Sequence, residues 1–210
     1  MTNYTFPVTR TTTPRPRPED PANPGFAKYF TDHIFVMDYD EGQGWHHGRI
    51  VPHQPFLIEP ASSVLHYAQT AFEGMKAYAA PDGSIQLFRP DMNAARMERT
   101  CERLCIPSLP EGAFIAAIEQ LIKVDADWMP TGANTSLYIR PFIFANQSTI
   151  SVGPANKYCF MIFLTPTGSY YAENSNGLST APIFVEEEYI RAAPGGTGYA
   201  KVGGNYAGGM

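Results

Sequence analysis

Stretches of alternating and of helically spaced apolar residues mark out the elements of this chain. From Tyr29 to Tyr39 the residues are largely β-branched and aromatic and read as a strand. The turn Glu41-Gly42-Gln43-Gly44 follows, and a second strand starts near Arg49. Residues 73–80 and 84–89 form a predicted hairpin around Asp82-Gly83, a strong turn signal. Pro90-Asp91 opens a helix to about Leu104, with Ala94, Met97, Cys101 and Leu104 on one stripe; Ile106-Pro107 ends it. A second helix is predicted from about Glu111 to Asp127, with Phe114, Ile118, Leu121 and Ile122 on one face. Strands follow at about 136–145, 157–165 and 179–187. Mixed helices and strands predict an α/β or α+β class. Residues 1–24 hold six prolines and predict an extended or disordered arm. Residues 168–177, rich in Ser, Asn and Gly, read as a linker.

Composition narrows the function classes. The chain has 210 residues, 44% of them hydrophobic, so a sizeable core can form. A net charge of −5 spread along the chain disfavours nucleic-acid and acidic-membrane partners. No apolar run is long enough to span a bilayer. Three cysteines are too few and too odd for a disulfide framework and suit a reducing, cytoplasmic compartment. Cys101 and Cys105, one helical turn apart, read as buried helix cysteines rather than a redox pair. The five histidines show no HExxH spacing, and adjacent His46 and His47 cannot share one regular strand face, so no metal site is expected.

The candidate chemistry sits at Lys201, in RAAPGGTGYAKVGGNYAGGM. By composition alone this window is a flexible tail holding one lysine. Its glycines also permit close backbone approach to a ligand. Gly196-Thr197-Gly198 begins like a dinucleotide fingerprint, but position 201 is lysine, and no GxxxxGK[ST] phosphate loop is present. On LYIRPFIFA, period-two alternation puts Tyr138, Arg140, Phe142 and Phe144 on one face, an unusual mixture of a cation and aromatics.

GGTGYAKVGGNY closely resembles the cofactor-lysine segment of the branched-chain amino-acid aminotransferases, which are fold-type IV pyridoxal-phosphate enzymes. SSVLHYAQTAFEGMKAY (62–78), LFRPDMNAARMERTCERLCIP (87–107) and TSLYIRPFIFA (135–145) resemble the same family, in the same order. The resemblance implies a small α/β domain at 26–167 after an arm at 1–25, a linker at 168–178, and the start of a larger, β-rich cofactor-binding domain at 179–210. It implies that Lys201 joins pyridoxal 5'-phosphate as a Schiff base and shuttles the substrate α-proton, that Tyr206 bonds the ring oxygen, and that Arg96 clamps the phosphate. Tyr138 would position the α-carboxylate and Arg140 the distal carboxylate of glutamate. Tyr67, Phe72, Tyr170 and Phe26 would line the side-chain pocket. The implied reaction moves an amino group between leucine, isoleucine or valine and 2-oxoglutarate, in a homodimer or larger homo-oligomer. Aminodeoxychorismate lyases and D-amino-acid transaminases share the fold, and a non-catalytic chain that associates with a partner is the remaining alternative. The chain ends nine residues after Lys201, and family members continue, so an N-terminal fragment is expected.

Overall fold

The computed structural model describes residues 4–169 and 180–210. Its frame is an antiparallel sheet built from β1 (His33–Asp40), β2 (Gly44–Pro52), β3 (Thr70–Phe72), β4 (Met75–Ala79), β5 (Ile85–Leu87), β6 (Ser136–Ala145) and β7 (Lys157–Thr167). The strand order is β2-β1-β7-β6-β4-β5, with β3 also paired to β6. Antiparallel pairing throughout the described ladders makes this the α+β form of the expected class.

Helix α1 (Ser63–Tyr67) is one short turn before β3. Helix α2 (Pro90–Arg103) starts on Pro90, whose missing N–H costs nothing in a first turn. Helix α3 (Ala113–Val124) buries Phe114, Ala117, Ile118, Leu121 and Ile122. These side chains meet Met97 and Cys101 of α2 and the inward residues Phe35, Leu137, Ile139, Ile143, Phe160, Ile162 and Leu164 of the sheet. Each fully buried Leu or Ile here contributes about 1.5–3 kcal/mol. A smaller cluster of Ile34, Val36, Phe144, Cys159 and Met161 covers the opposite face. β6 serves both faces by alternation, which leaves Tyr138, Arg140 and Phe142 only partly buried.

Two expectations change. Residues 180–187 form no strand, and Ile183, Phe184 and Val185 stand exposed; the segment pairs with none of the described strands. Residues 4–24 are extended but not disordered. Val8 bridges Ile50, with Ile50 N donating to Pro7 O at 2.9 Å, and Phe6 enters the core edge-on to Phe35. Further along, the Thr11 amide donates to His33 Nε2 at 2.9 Å, which leaves the His33 proton on Nδ1, facing Asp125 Oδ1 at 2.6 Å. Arg17 lies over the Trp128 ring at 4.3 Å and binds Asp127. A single signal, proline density, cannot distinguish an arm that docks from one that does not.

The β1–β2 hairpin holds a third change. Val36 pairs with Arg49 and Asp38 with His46, so β2 carries one extra residue, and His47 has φ +51°. The bulge breaks the period of two and turns the His46 and His47 rings toward each other, with Nδ1 atoms 2.9 Å apart. Adjacent histidines thus share a face after all. Gly48 is required beside them, since a Cβ there would lie 2.7 Å from the Phe6 ring.

Burial pushes the Cys101 and Cys159 thiols up to about 12, whereas Cys105, just past α2, is exposed. At pH 8 a disulfide-exchange reagent should therefore titrate one thiol quickly in the folded chain and three after urea unfolding. Fast reaction of two or three native thiols would contradict this packing.

Candidate functional site

Lys201 is stitched to the sheet through its backbone. Phe72 N donates to Lys201 O and Gly203 N to Thr70 O, both at 3.1 Å, and Ala71 and Val202 form an antiparallel bridge. β3 therefore pairs with β6 on one side and with residues 201–203 on the other. Gly203 permits the approach, because a Cβ there would lie 2.5 Å from Thr70 Cγ2. Lys201 N donates to the buried Thr100 Oγ1 at 3.0 Å, which ties the segment to α2. Asn205, in the single-turn helix α4 (Gly204–Ala207), donates to the carbonyls of Thr197 and Ala200 at 2.8 Å and accepts from Thr197 Oγ1. A glycine-rich segment is thereby held in one shape by side-chain bonds rather than by a core.

The Lys201 ammonium donates to Tyr206 Oη at 2.8 Å and lies 4.2 Å from the centre of the Phe72 ring. Phe72 meets the Tyr206 ring edge-on at 4.9 Å. Arg140 reaches the same ring, with its guanidinium carbon 4.9 Å from the centre, and its Nη2 donates to Tyr138 Oη at 2.8 Å. Each cation–ring contact is worth about 0.5–2 kcal/mol. Two cations on one ring also repel each other, and among the described residues the buried Arg140 Nε has no hydrogen-bond partner. Such a cluster has the chemistry to receive an anionic ligand.

The two residues between β3 and β4 shape the floor of this cluster. Pro141 faces them and has no N–H, and its carbonyl accepts from Glu73 N at 2.8 Å. The register on β6 continues unbroken from β3 to β4, so alternation turns Glu73 to the buried side with Ala71, Met75 and Ala77, and Gly74 lies under Tyr138. A Cβ on Gly74 would overlap Tyr138 Oη. The fully buried Glu73 carboxylate accepts from Arg96 Nε at 2.6 Å, Arg96 Nη2 at 2.7 Å and Asn93 Nδ2 at 2.7 Å. These bonds hold the Arg96 pKa above its ordinary value. The Nε–Nη2 edge of Arg96 is thus already engaged by Glu73.

Lys201, Tyr206, Phe72, Tyr138 and Arg140 form one contiguous group, and the Phe26 ring joins it edge-on to Tyr138 at 6.3 Å. Arg96 is linked to the group through Glu73 and Gly74. Tyr67 is not brought in, since its hydroxyl donates to Ile150 O in a surface loop. Tyr170 lies outside the described residues. Glu73, Gly74, Thr100 and Asn205 escaped the reading of the sequence. Thr100, four residues after Arg96 and between Met97 and Cys101 on the buried side of α2, was the one with a signal: a polar residue where an apolar one belongs.

Gly74→Ala should displace the Tyr138 hydroxyl and destabilise the chain by about 1–3 kcal/mol in urea unfolding. Arg96→Ala should cost about 3 kcal/mol, because it leaves a buried carboxylate with only amide donors. Wild-type stability in either variant would contradict the geometry.

No protein-family model matches the chain. It is 50% identical over 188 residues, 90% of its length, to branched-chain-amino-acid transaminase 1 of Bacillus subtilis (strain 168), 52% of whose length is covered. Among solved structures, the branched-chain aminotransferase of Thermoproteus uzoniensis with norvaline matches with a TM-score of 0.60 at 20% identity, covering 84% of this chain and 53% of that one. A T.th. branched-chain aminotransferase with pyridoxamine 5'-phosphate matches with a TM-score of 0.56 at 22% identity, covering 83% of this chain and 52% of that one. The chain spans about half the length of the curated relatives it matches. Over about nine tenths of its own length the chain is thus similar in sequence to branched-chain amino-acid aminotransferases, and it shares the fold of the solved ones.

Proposed function

We propose that this chain carries the lysine-bearing part of a pyridoxal 5'-phosphate site that transaminates leucine, isoleucine and valine with 2-oxoglutarate. The hydrogen bond from Lys201 to Tyr206, over the Phe72 ring, carries the reading. When bound, the cofactor supplies an electron sink that stabilises negative charge at the substrate α-carbon. Its donor set fits what stands here: an amine beside a phenol, a guanidinium held by Glu73, and a backbone segment rigidly attached to β3.

Each residue then has a definite task. Lys201 holds the cofactor covalently and takes and returns the α-proton. Tyr206 keeps the amine oriented by accepting its hydrogen bond. Arg96, half-exposed beside its buried partner, offers its outer edge to the phosphate. Phe72 and Phe26 supply the apolar lining, and the family resemblance adds Tyr170; Tyr67, bonded to Ile150 O, stands apart from it. Arg140, on an aromatic surface and bonded to Tyr138, meets the carboxylate of the acidic substrate. An aliphatic lining separates the three amino acids weakly, by about 1–3 kcal/mol per methylene. Three cysteines without a disulfide support a cytoplasmic setting, and exposed Leu57, Leu65 and Phe88 supply apolar surface for a homodimer or larger assembly. Among the described residues no helix is long and apolar enough to cross a membrane.

Added pyridoxal phosphate should give the purified chain a visible absorption band, and borohydride should fix the cofactor on Lys201 in peptide mass spectrometry. Arg96→Ala should weaken binding about 10- to 100-fold, the loss of one or two charge-assisted bonds. A colourless protein with unlabelled Lys201 would leave the non-catalytic reading in possession.

A further inference from the structure

The bulged β1–β2 hairpin gathers a second set of chemically active side chains that shares no residue with the Lys201 cluster. We infer that Asp38, His46 and His47 form a binding site for a divalent transition-metal ion, with both Nδ1 atoms and one Asp38 oxygen as ligands.

The bulge is what creates the site. In a regular strand His46 and His47 would point to opposite faces. Here the extra residue in β2 brings both rings to one side, opposite Asp38, the cross-strand partner of His46. One ligand atom from each of the three side chains lies within 4.8 Å of the others. Gly48 and the docked Phe6 ring maintain the bulge, so the arrangement is supported from the core side.

His46 is oriented as a metal-binding histidine usually is. Its Nε2 faces Asp40 Oδ2 at 3.0 Å, and Asp40 is itself held by Lys157 Nζ at 2.9 Å. A carboxylate accepting from Nε2–H keeps the ring proton on that nitrogen and leaves the Nδ1 lone pair facing His47. The Nδ1–Nδ1 separation is 2.9 Å. With metal–nitrogen bonds of about 2.0–2.1 Å, two ligands at a right angle stand about 2.9 Å apart, whereas a tetrahedral pair needs about 3.4 Å. The spacing therefore suits the tetragonal or octahedral preference of Ni2+ or Cu2+.

Asp38 completes the set. Its Oδ2 accepts from Arg49 Nη1 at 2.5 Å, which fixes the carboxylate and leaves Oδ1 for the ion. Arg49 and Lys157 offset the two aspartates, so the site has little excess negative charge, and nitrogen donors rather than charge dominate its selectivity. An open depression of about 330 Å3 bounded by Pro7, Asp38, His47, Gly48 and Arg49 gives water access to the remaining coordination positions. Without an ion, one Nδ1–H donates to the other ring. On binding, that proton moves to Nε2 of its own ring, and the freed Nδ1 takes the metal.

The test is calorimetric titration of the intact chain with Ni2+ at pH 7.5, alongside His46→Ala, His47→Ala, Asp38→Asn and His66→Ala. One saturable equivalent is expected, at least tenfold weaker in the two cluster-histidine variants, weaker in Asp38→Asn, and unchanged in His66→Ala. His47 is exposed, so its variant should fold and can decide the matter alone even if His46→Ala does not. No saturable heat in the wild type, or wild-type affinity in His47→Ala, would overturn the site.

Discussion

Everything around Lys201 depends on one short piece of β-pairing. Two backbone bonds between residues 70–72 and 201–203, with the Thr100 hydroxyl as a third anchor, join the far end of the chain to a strand more than a hundred residues earlier. Closing so long a loop carries an entropic cost, but that cost grows only logarithmically with length. The pairing is effective because β3 is already held by β6 on its other side. The lysine thus inherits the rigidity of a paired strand while its own segment remains glycine-rich.

The same strand explains why the aromatic and cationic groups converge. Phe72 ends β3 and presents its ring to both Lys201 and Arg140. Directly after it, beside Pro141, Glu73 and Gly74 take on separate duties. Glu73 neutralises and orients Arg96, and Gly74 makes room for Tyr138. Two residues between β3 and β4, set in the same register on β6 as the strands that flank them, therefore organise the candidate site. At the other end of the sheet, at the His47 bulge, a local break in the ladder turns side chains that a regular strand would separate toward a common point.

The docked arm adds a constraint that composition could not supply. Phe6 fills space over Gly48, and the Thr11 amide settles the tautomer of His33, whose other nitrogen faces the buried Asp125. The arm thereby supports the hairpin that carries the bulge. Loss of the arm should be felt in β1 and β2 before it is felt at Lys201, since its described contacts run to those strands, to α3 and to the Asp127–Trp128 turn.

Helical spacing by itself determined α2 and α3, whose buried faces are written into the sequence; runs of strand-forming residues marked β6 and β7, and the Asp82-Gly83 turn marked the hairpin. Motif order pointed to the family, and with it to Lys201, Tyr206, Phe72, Tyr138, Arg140 and Arg96 as the residues to watch. Only the tertiary structure decided that Glu73 holds Arg96, that Tyr67 turns toward Ile150, that 180–187 lack a strand partner, and that His46 and His47 face each other. The physical reason is common to all four. Each depends on what lies across a ladder or beyond a break in it, and pairing between distant segments leaves no periodic trace in either one alone.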